Sequence, residues 1–231
     1  MVPAYNEEEL LEGTISELSG ALRKRQVPFE LLVVENGSQD RTRELAESLT
    51  ASVPELRVLS LAAPDYGEAL RTGLLAAAGP VIVTFDAEYY DFDFLDDAVA
   101  RVTAPGGPAI VIGSKRAKGA QDTRALHRRA VTAGFSLLLR LGFGLRASDT
   151  HGMKALDRER IRPVAESCQL GGDLFDSELV IRAERRGLPV EELPVLVEER
   201  RPSRTSIRTR AVRSLLGLVE LRRALRTTPA S

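Results

Sequence analysis

The sequence predicts an α/β protein with a mostly parallel central sheet flanked by helices. Val- and Ile-rich clusters alternate with segments of helical period along nearly all of its 231 residues. The first three clusters run into short turns marked by Gly or Pro, as strands do when they feed helices. A 43% hydrophobic content, with 32 basic against 33 acidic groups, is that of a globular chain of one domain.

The elements follow in order. Only Met1 and Val2 precede Pro3-Ala4-Tyr5-Asn6, where a full strand is expected, so a form with a longer apolar start is expected to melt higher. Glu7–Arg25 has a helical period behind a candidate cap at Asn6, and Phe29–Glu35 reads as a strand. Ser38 or Asp40 caps the helix Thr42–Thr50, and Leu56–Leu61 is the next strand. Gly67–Ala78 and Asp93–Val102 are helices around the strand Val81–Asp86, and Ala109–Gly113 is a further strand. Arg124–Leu145 is a long helix with a mostly apolar second half, Phe135–Phe143. Gly171-Gly172 precedes the helix Leu174–Arg186, and Pro189 and Pro194 bracket a short strand ending near Val197. Ser206–Arg226 sets Ile207, Val212, Leu215, Leu216, Val219 and Leu225 largely on one stripe among arginines, a basic amphipathic helix.

Composition excludes several function classes. The single cysteine, Cys168, forbids a disulfide framework and suits a reducing compartment. With only His127 and His151 beside it, a Cys/His zinc module is excluded as well. No signal peptide opens the sequence and no run of about 18 apolar residues is present, so an integral membrane protein is not expected. Charge divides the chain into a body, 1–199, and a basic C-terminal segment, 200–231. Arg200–Arg226 holds nine Arg and one acid, a net of +8, which leaves −9 for the rest of a chain whose total is −1. Such a segment suits phosphate groups, anionic lipid or nucleic acid. It lacks the interleaved aromatics that stack on bases, so nucleic acid is not an expected partner.

Ligands of an open parallel sheet bind beyond the carboxyl ends of its strands. Glu35 and Asn36 end one strand and can present acceptors to a ligand, with Gly37 permitting the turn. Asp86-Ala87-Glu88 ends another; two acids leaving a buried strand repel unless a cation compensates, and such oxygens suit Mg2+ or Mn2+ on phosphates. An exposed acidic turn is the plain alternative. Asp173, Asp176 and Glu178 stand at the start of a helix, where acids ordinarily serve the helix dipole.

Val2-Pro3-Ala4-Tyr5-Asn6-Glu7-Glu8, Glu35-Asn36-Gly37-Ser38-Gln39-Asp40-Arg41-Thr42, Tyr66-Gly67-Glu68-Ala69-Leu70-Arg71-Thr72-Gly73-Leu74 and Asp86-Ala87-Glu88 resemble, in order and spacing, the family-2 glycosyltransferases of GT-A fold. Asp149-Thr150-His151-Gly152-Met153-Lys154-Ala155-Leu156 and Glu192-Leu193-Pro194-Val195 look like the polyprenol-phosphate branch, similar to dolichol-phosphate mannose synthase. The resemblance implies that Pro3, Tyr5 and Glu7 pack on the base and ribose, and that Val34 and Asn36 read the base, with Glu35 and Gly67 also on the nucleotide sugar. Asn36 stands where the family usually has Asp; its amide oxygen can accept from a base N–H. Asp86, Ala87 and Glu88 match the Asp-X-Asp motif that holds ribose and a Mg2+ or Mn2+ ion on the diphosphate, with Glu88 one methylene longer than the usual acid. Arg116, with Arg128 or Arg129, matches basic groups near the acceptor phosphate. Arg201 and Arg204 match a segment that folds over the diphosphate, with Arg204 in place of a Gly.

The activity implied is inverting transfer of a hexose from a nucleotide sugar to a polyprenyl phosphate, by a cytoplasmic protein peripheral to the inner face of the plasma membrane. An acceptor hydroxyl would instead need Asp173 or Asp176 as base. The rivals are a soluble glycosyltransferase acting on a small-molecule or glycan hydroxyl, and a non-catalytic protein that binds nucleotide sugars.

Overall fold

The computed structural model describes residues 1–122, 126–197 and 217–226. Strands β1 (Val2–Ala4), β2 (Leu31–Glu35) and β3 (Leu56–Ser60) form a parallel sheet in the order β1-β2-β3. A second sheet contains β4 (Val81–Thr84), β5 (Ile110–Ser114), β7 (Lys154–Asp157) and β8 (Val190–Pro194), ordered β4-β7-β5-β8. Within it β5 and β8 are parallel, while β7 runs against both of its neighbours. The Met1 amine donates to Val83 O at 2.7 Å and the Phe85 N–H donates to Met1 O at 3.0 Å, which brings the β1 edge against β4. A short pair, β6 (Gln121–Asp122) with β9 (Leu196–Val197), lies apart.

Alternation along the strands feeds two cores. Leu32, Val34, Ile110 and Ile112 face helices α3 (Tyr66–Ala76), α6 (Arg158–Ser167) and α7 (Leu174–Arg185). Leu31, Val33 and Val111 face α1 (Leu11–Lys24), α2 (Thr42–Leu49) and α4 (Phe92–Thr103). A sheet covered on both faces explains why its strands read as continuous apolar runs. Helix α5 (Leu126–Phe143) inserts Leu139 into the first core, yet leaves Leu137, Leu138 and Leu141 exposed.

Several expectations need correction. The first helix begins at Leu11, not Glu7, because the segment before it is held across to the neighbouring loop: the Glu7 N–H donates to Thr42 Oγ1 and the Glu8 N–H to Asp40 Oδ2. Asn6 is not a helix cap; it has φ +54° and its side-chain oxygen accepts from the Gln39 N–H at 2.8 Å. The strand expected to end near Val197 is divided, β8 stopping at Pro194 and β9 covering Leu196–Val197. Strand β7 and helix α6 were absent from the expected elements. β7 spans four residues, too few for a periodic signal, and Pro163, which α6 accommodates inside its span, reads in the sequence as a helix breaker. Of the basic tail helix, only 217–226 lies within the described residues. Leu221, Ala224 and Leu225 are buried, whereas Val219, expected on the apolar stripe, is 52% exposed. Among the described residues, no helix is long and apolar enough to cross a membrane.

Candidate functional site at the carboxyl edge of the sheet

Register places the first motif pair side by side. Pro3 lies opposite Val34 and Ala4 opposite Glu35, and the Asn36 N–H donates to Ala4 O at 2.8 Å. The loops that follow are laced together: the Asn6 N–H donates to Ser38 Oγ, and the Arg41 N–H donates to Glu8 Oε2. Tyr5 and Glu7 sit half-buried on this ledge. Buried Glu35 turns its carboxylate onto the Ser38 N–H at 2.5 Å and shapes the turn.

Three expected contacts are redirected. The Val34 side chain is fully buried against Met1 and α3, so it is a core residue and not part of a surface that reads a base. The Asn36 side-chain oxygen accepts from the Asp65 N–H at 2.8 Å, which ties the end of β2 to the start of α3. Gly67 is a close-packing position: a Cβ there would meet Gly171 C, Gly172 N and Phe175 Cβ, each at 2.7 Å. Asp65 completes that junction, its Oδ1 accepting from the Glu68 and Gly172 N–H groups.

The acids after β4 lie in a tight turn, closed by the Asp86 N–H to Tyr89 O and the Tyr89 N–H to Asp86 O, both at 3.2 Å. Ala87 is buried, and its carbonyl accepts from Thr14 Oγ1 at 2.6 Å. Glu88 lines a cleft with Glu9, Gly13, Thr14 and Glu17 of the α1 side. Asp86 instead faces α3 and α7. Burial, then the charge of Asp176, and also Glu88, hold its carboxyl above the usual aspartate range against the opposing pull of Lys154 and Lys115. Tyr66, at the start of α3, hydrogen-bonds to Asp86; burial and then the charges of Asp86, Asp176 and Asp173 push its phenol well above the ordinary value.

Asp176 is not a solvated acid at a helix dipole. It is buried, and its Oδ1 lies 2.8 Å from Nζ of Lys154, which is buried too. Because β7 is antiparallel, Lys154 sits at its first position opposite Thr84, at the same edge as the ends of β4 and β5. The loop entering β7 is held by Glu192, whose carboxylate accepts from the Ser148 and Asp149 N–H groups. Asp149 in turn places one oxygen 3.2 Å from Lys115 Nζ. Arg116 follows, exposed. His151 Nε2 is 2.9 Å from the Asp173 carbonyl oxygen, which can only accept, so Nε2 donates there, and Nδ1 lies 3.1 Å from Thr150 Oγ1. Glu178 is structural: fully buried, it pairs with Arg182 at 2.7 Å and accepts from the Gln169 and Leu170 N–H groups. The Arg128 side chain, Arg201 and Arg204 lie outside the described residues.

Among the described residues, no group of three or more His, Cys, Asp or Glu could hold a metal by itself. Mg2+ commonly takes only one or two carboxylates and completes its shell with substrate phosphates and water. Asp86 and Glu88 leave the same tight turn toward different sides, so either could supply the single carboxylate that an ion delivered with a diphosphate needs. Lys154, Tyr66, Asp65, Asp149 and Lys115 were not among the candidate residues. Tyr66, Asp149 and Lys154 stand inside motifs the sequence already singles out, Lys115 adjoins Arg116, and Asp65 carries a signal of its own as an N-cap residue three positions before Glu68.

A doubly covered, mostly parallel sheet with acids and lysines converging beyond its carboxyl edge defines an α/β protein with its ligand cleft at that edge. The chain belongs to glycosyl transferase family 2, whose model matches residues 1–162. It is 28% identical over 206 residues to dolichyl-phosphate beta-glucosyltransferase ALG5A of Trichomonas vaginalis, covering 84% of this chain and 64% of that protein. It is 30% identical over 198 residues to a dolichyl-phosphate hexose transferase of Haloferax volcanii, covering 85% of this chain and 80% of that one. These relatives agree with the polyprenol-phosphate branch. The chain thus spans just under two thirds of the length of the Trichomonas relative. Glucosyl-3-phosphoglycerate synthase from Mycobacterium tuberculosis, solved with Mn2+ and UDP-glucose, superimposes with a TM-score of 0.66 at 21% identity, covering 99% of this chain and 79% of that chain. The GT-A fold is thereby established.

Proposed function

We propose that this chain transfers a hexose from a nucleotide sugar to a polyprenyl phosphate, with inversion at the anomeric carbon, at the cytoplasmic face of a membrane. The observation that carries the reading is the convergence of Asp86, Asp176, Lys154 and Lys115 at one edge of a family-2 fold. In this reading Tyr5 and Glu7 form the ledge for the base and ribose, with buried Pro3 beneath it and Asn36 fixing the start of α3 alongside. Asp86 and Glu88 would hold Mg2+ or Mn2+, which when bound neutralises charge on the diphosphate. Lys115, oriented by Asp149, and exposed Arg116 attract and position the acceptor phosphate, with Arg128, Arg201 and Arg204 as further cations. A phosphate is already an anion, so its oxygen attacks without a general base. The exposed Leu137, Leu138 and Leu141 face of α5 and the basic segment 200–231 support peripheral contact with anionic lipid.

Purified protein given Mn2+ or Mg2+, a panel of UDP- and GDP-hexoses and short polyprenyl phosphates is expected to form a glycolipid. Nucleotide binding with no glycolipid from any member of the panel would reject the reading. Glycosylation of a free hydroxyl that is lost in Asp176→Asn would favour the hydroxyl-acceptor alternative.

A further inference from the structure

Lys154 and Asp176 are buried at the carboxyl edge, and transfer to a phosphate gives neither a proton to move. Burying such a pair is costly, and apolar residues of similar volume generally pack as well or better, so packing alone does not explain it. Lys154 Nζ pairs with Asp176 Oδ1 at 2.8 Å and donates to Gly152 O at 3.0 Å, which occupies two of its three N–H groups. Asp176 Oδ2 is buried and has no hydrogen-bond partner among the described residues. A buried carboxylate oxygen left without a donor is destabilising unless a ligand supplies one. Lys154 stands opposite Thr84, two residues before Asp86, and Asp176 pairs with it, which puts both beside the expected diphosphate.

We infer that Lys154 and Asp176 read the donor sugar, Asp176 Oδ2 accepting from one ring hydroxyl and Lys154 Nζ donating to the neighbouring hydroxyl. A charged donor and a charged acceptor side by side match the vicinal diol of a pyranose. The pair thereby selects the hexose, a role distinct from proton transfer. This inference rests on the proposed donor site.

Calorimetry in Mn2+ separates the two. Wild type, Asp176→Asn, Lys154→Met and Lys154→Arg are titrated with UDP, GDP, UDP-glucose and GDP-mannose. Asp176→Asn is expected to lose at least about ten-fold more affinity for the matching nucleotide sugar than for the bare nucleoside diphosphate, the size of one hydrogen bond to a charged group. Lys154→Arg is expected to recover part of what Lys154→Met loses. Asp176→Asn is nearly isosteric and carries the test if Lys154→Met fails to fold. Equal losses for diphosphate and sugar, or no loss for either, overturn the inference and leave the donor site standing. Absence of nucleotide binding by wild type overturns the donor site and the inference with it.

Discussion

Asp86 is held in a state that costs the fold stability. Burial and the Asp176 charge raise its carboxyl, so between the ordinary aspartate value and the raised one the folded chain binds more protons than the unfolded chain. Stability therefore falls as pH rises through that window. Asp86→Asn is expected to raise the melting temperature at neutral pH while abolishing Mn2+-dependent nucleotide binding; a lower melting temperature in scanning calorimetry would refute this. Glu88→Ala is expected to remove turnover with little change in melting, because Glu88 lines an open cleft and not the core. Cys168 is inert by the same physics: burial first, and then Glu178, push its thiol far up, so alkylating reagents are expected to modify it only on unfolding. Asp86 and Glu88 were legible in the sequence because acids that end an apolar strand stand out. Lys154 was not, since its depth depends on the direction of a four-residue strand. Val34 was misassigned for a related reason: adjacency to Asn36 does not reveal which face of β2 it occupies.

Among the elements, the contact of α3 with α7 depends on Gly67. Gly67→Ala places a methyl 2.7 Å from three atoms, two of them backbone, so the helices must separate. A loss of about 1–3 kcal/mol is expected in urea titration, as for overpacked cores generally. The segment 217–226 is tied to α7 by Arg182, which pairs with Glu178 and donates to Ala224 O at 2.8 Å. Arg182→Met strands a buried carboxylate and is expected to cost about 3 kcal/mol, whereas the double change with Glu178→Gln is expected to regain much of it. Long apolar runs made β2, β3, α3, α4 and α7 readable to within a few residues. The start of α1 was not readable, because tertiary bonds to Thr42 and Asp40 hold residues 7 and 8 out of the helix.

For the whole molecule, the sheet class followed from the alternation of apolar clusters with segments of helical period. What hydropathy could not supply was the outward face of α5, since an apolar helix reads the same whether packed or exposed. Leu141, 78% exposed, contributes little to the core. Leu141→Asp is expected to weaken cosedimentation with phosphatidylserine vesicles at low salt and to leave the melting temperature unchanged; unaltered sedimentation would count against lipid contact there. The reversed strand β7 has a wider consequence. Its neighbours deliver the loops that leave them, whereas it delivers the loop that enters it, so residues 146–153 reach this edge from a different stretch of chain than the turns after β1, β2 and β4. A variant library confined to the solvent-facing positions of that entry loop is where altered selectivity should be sought.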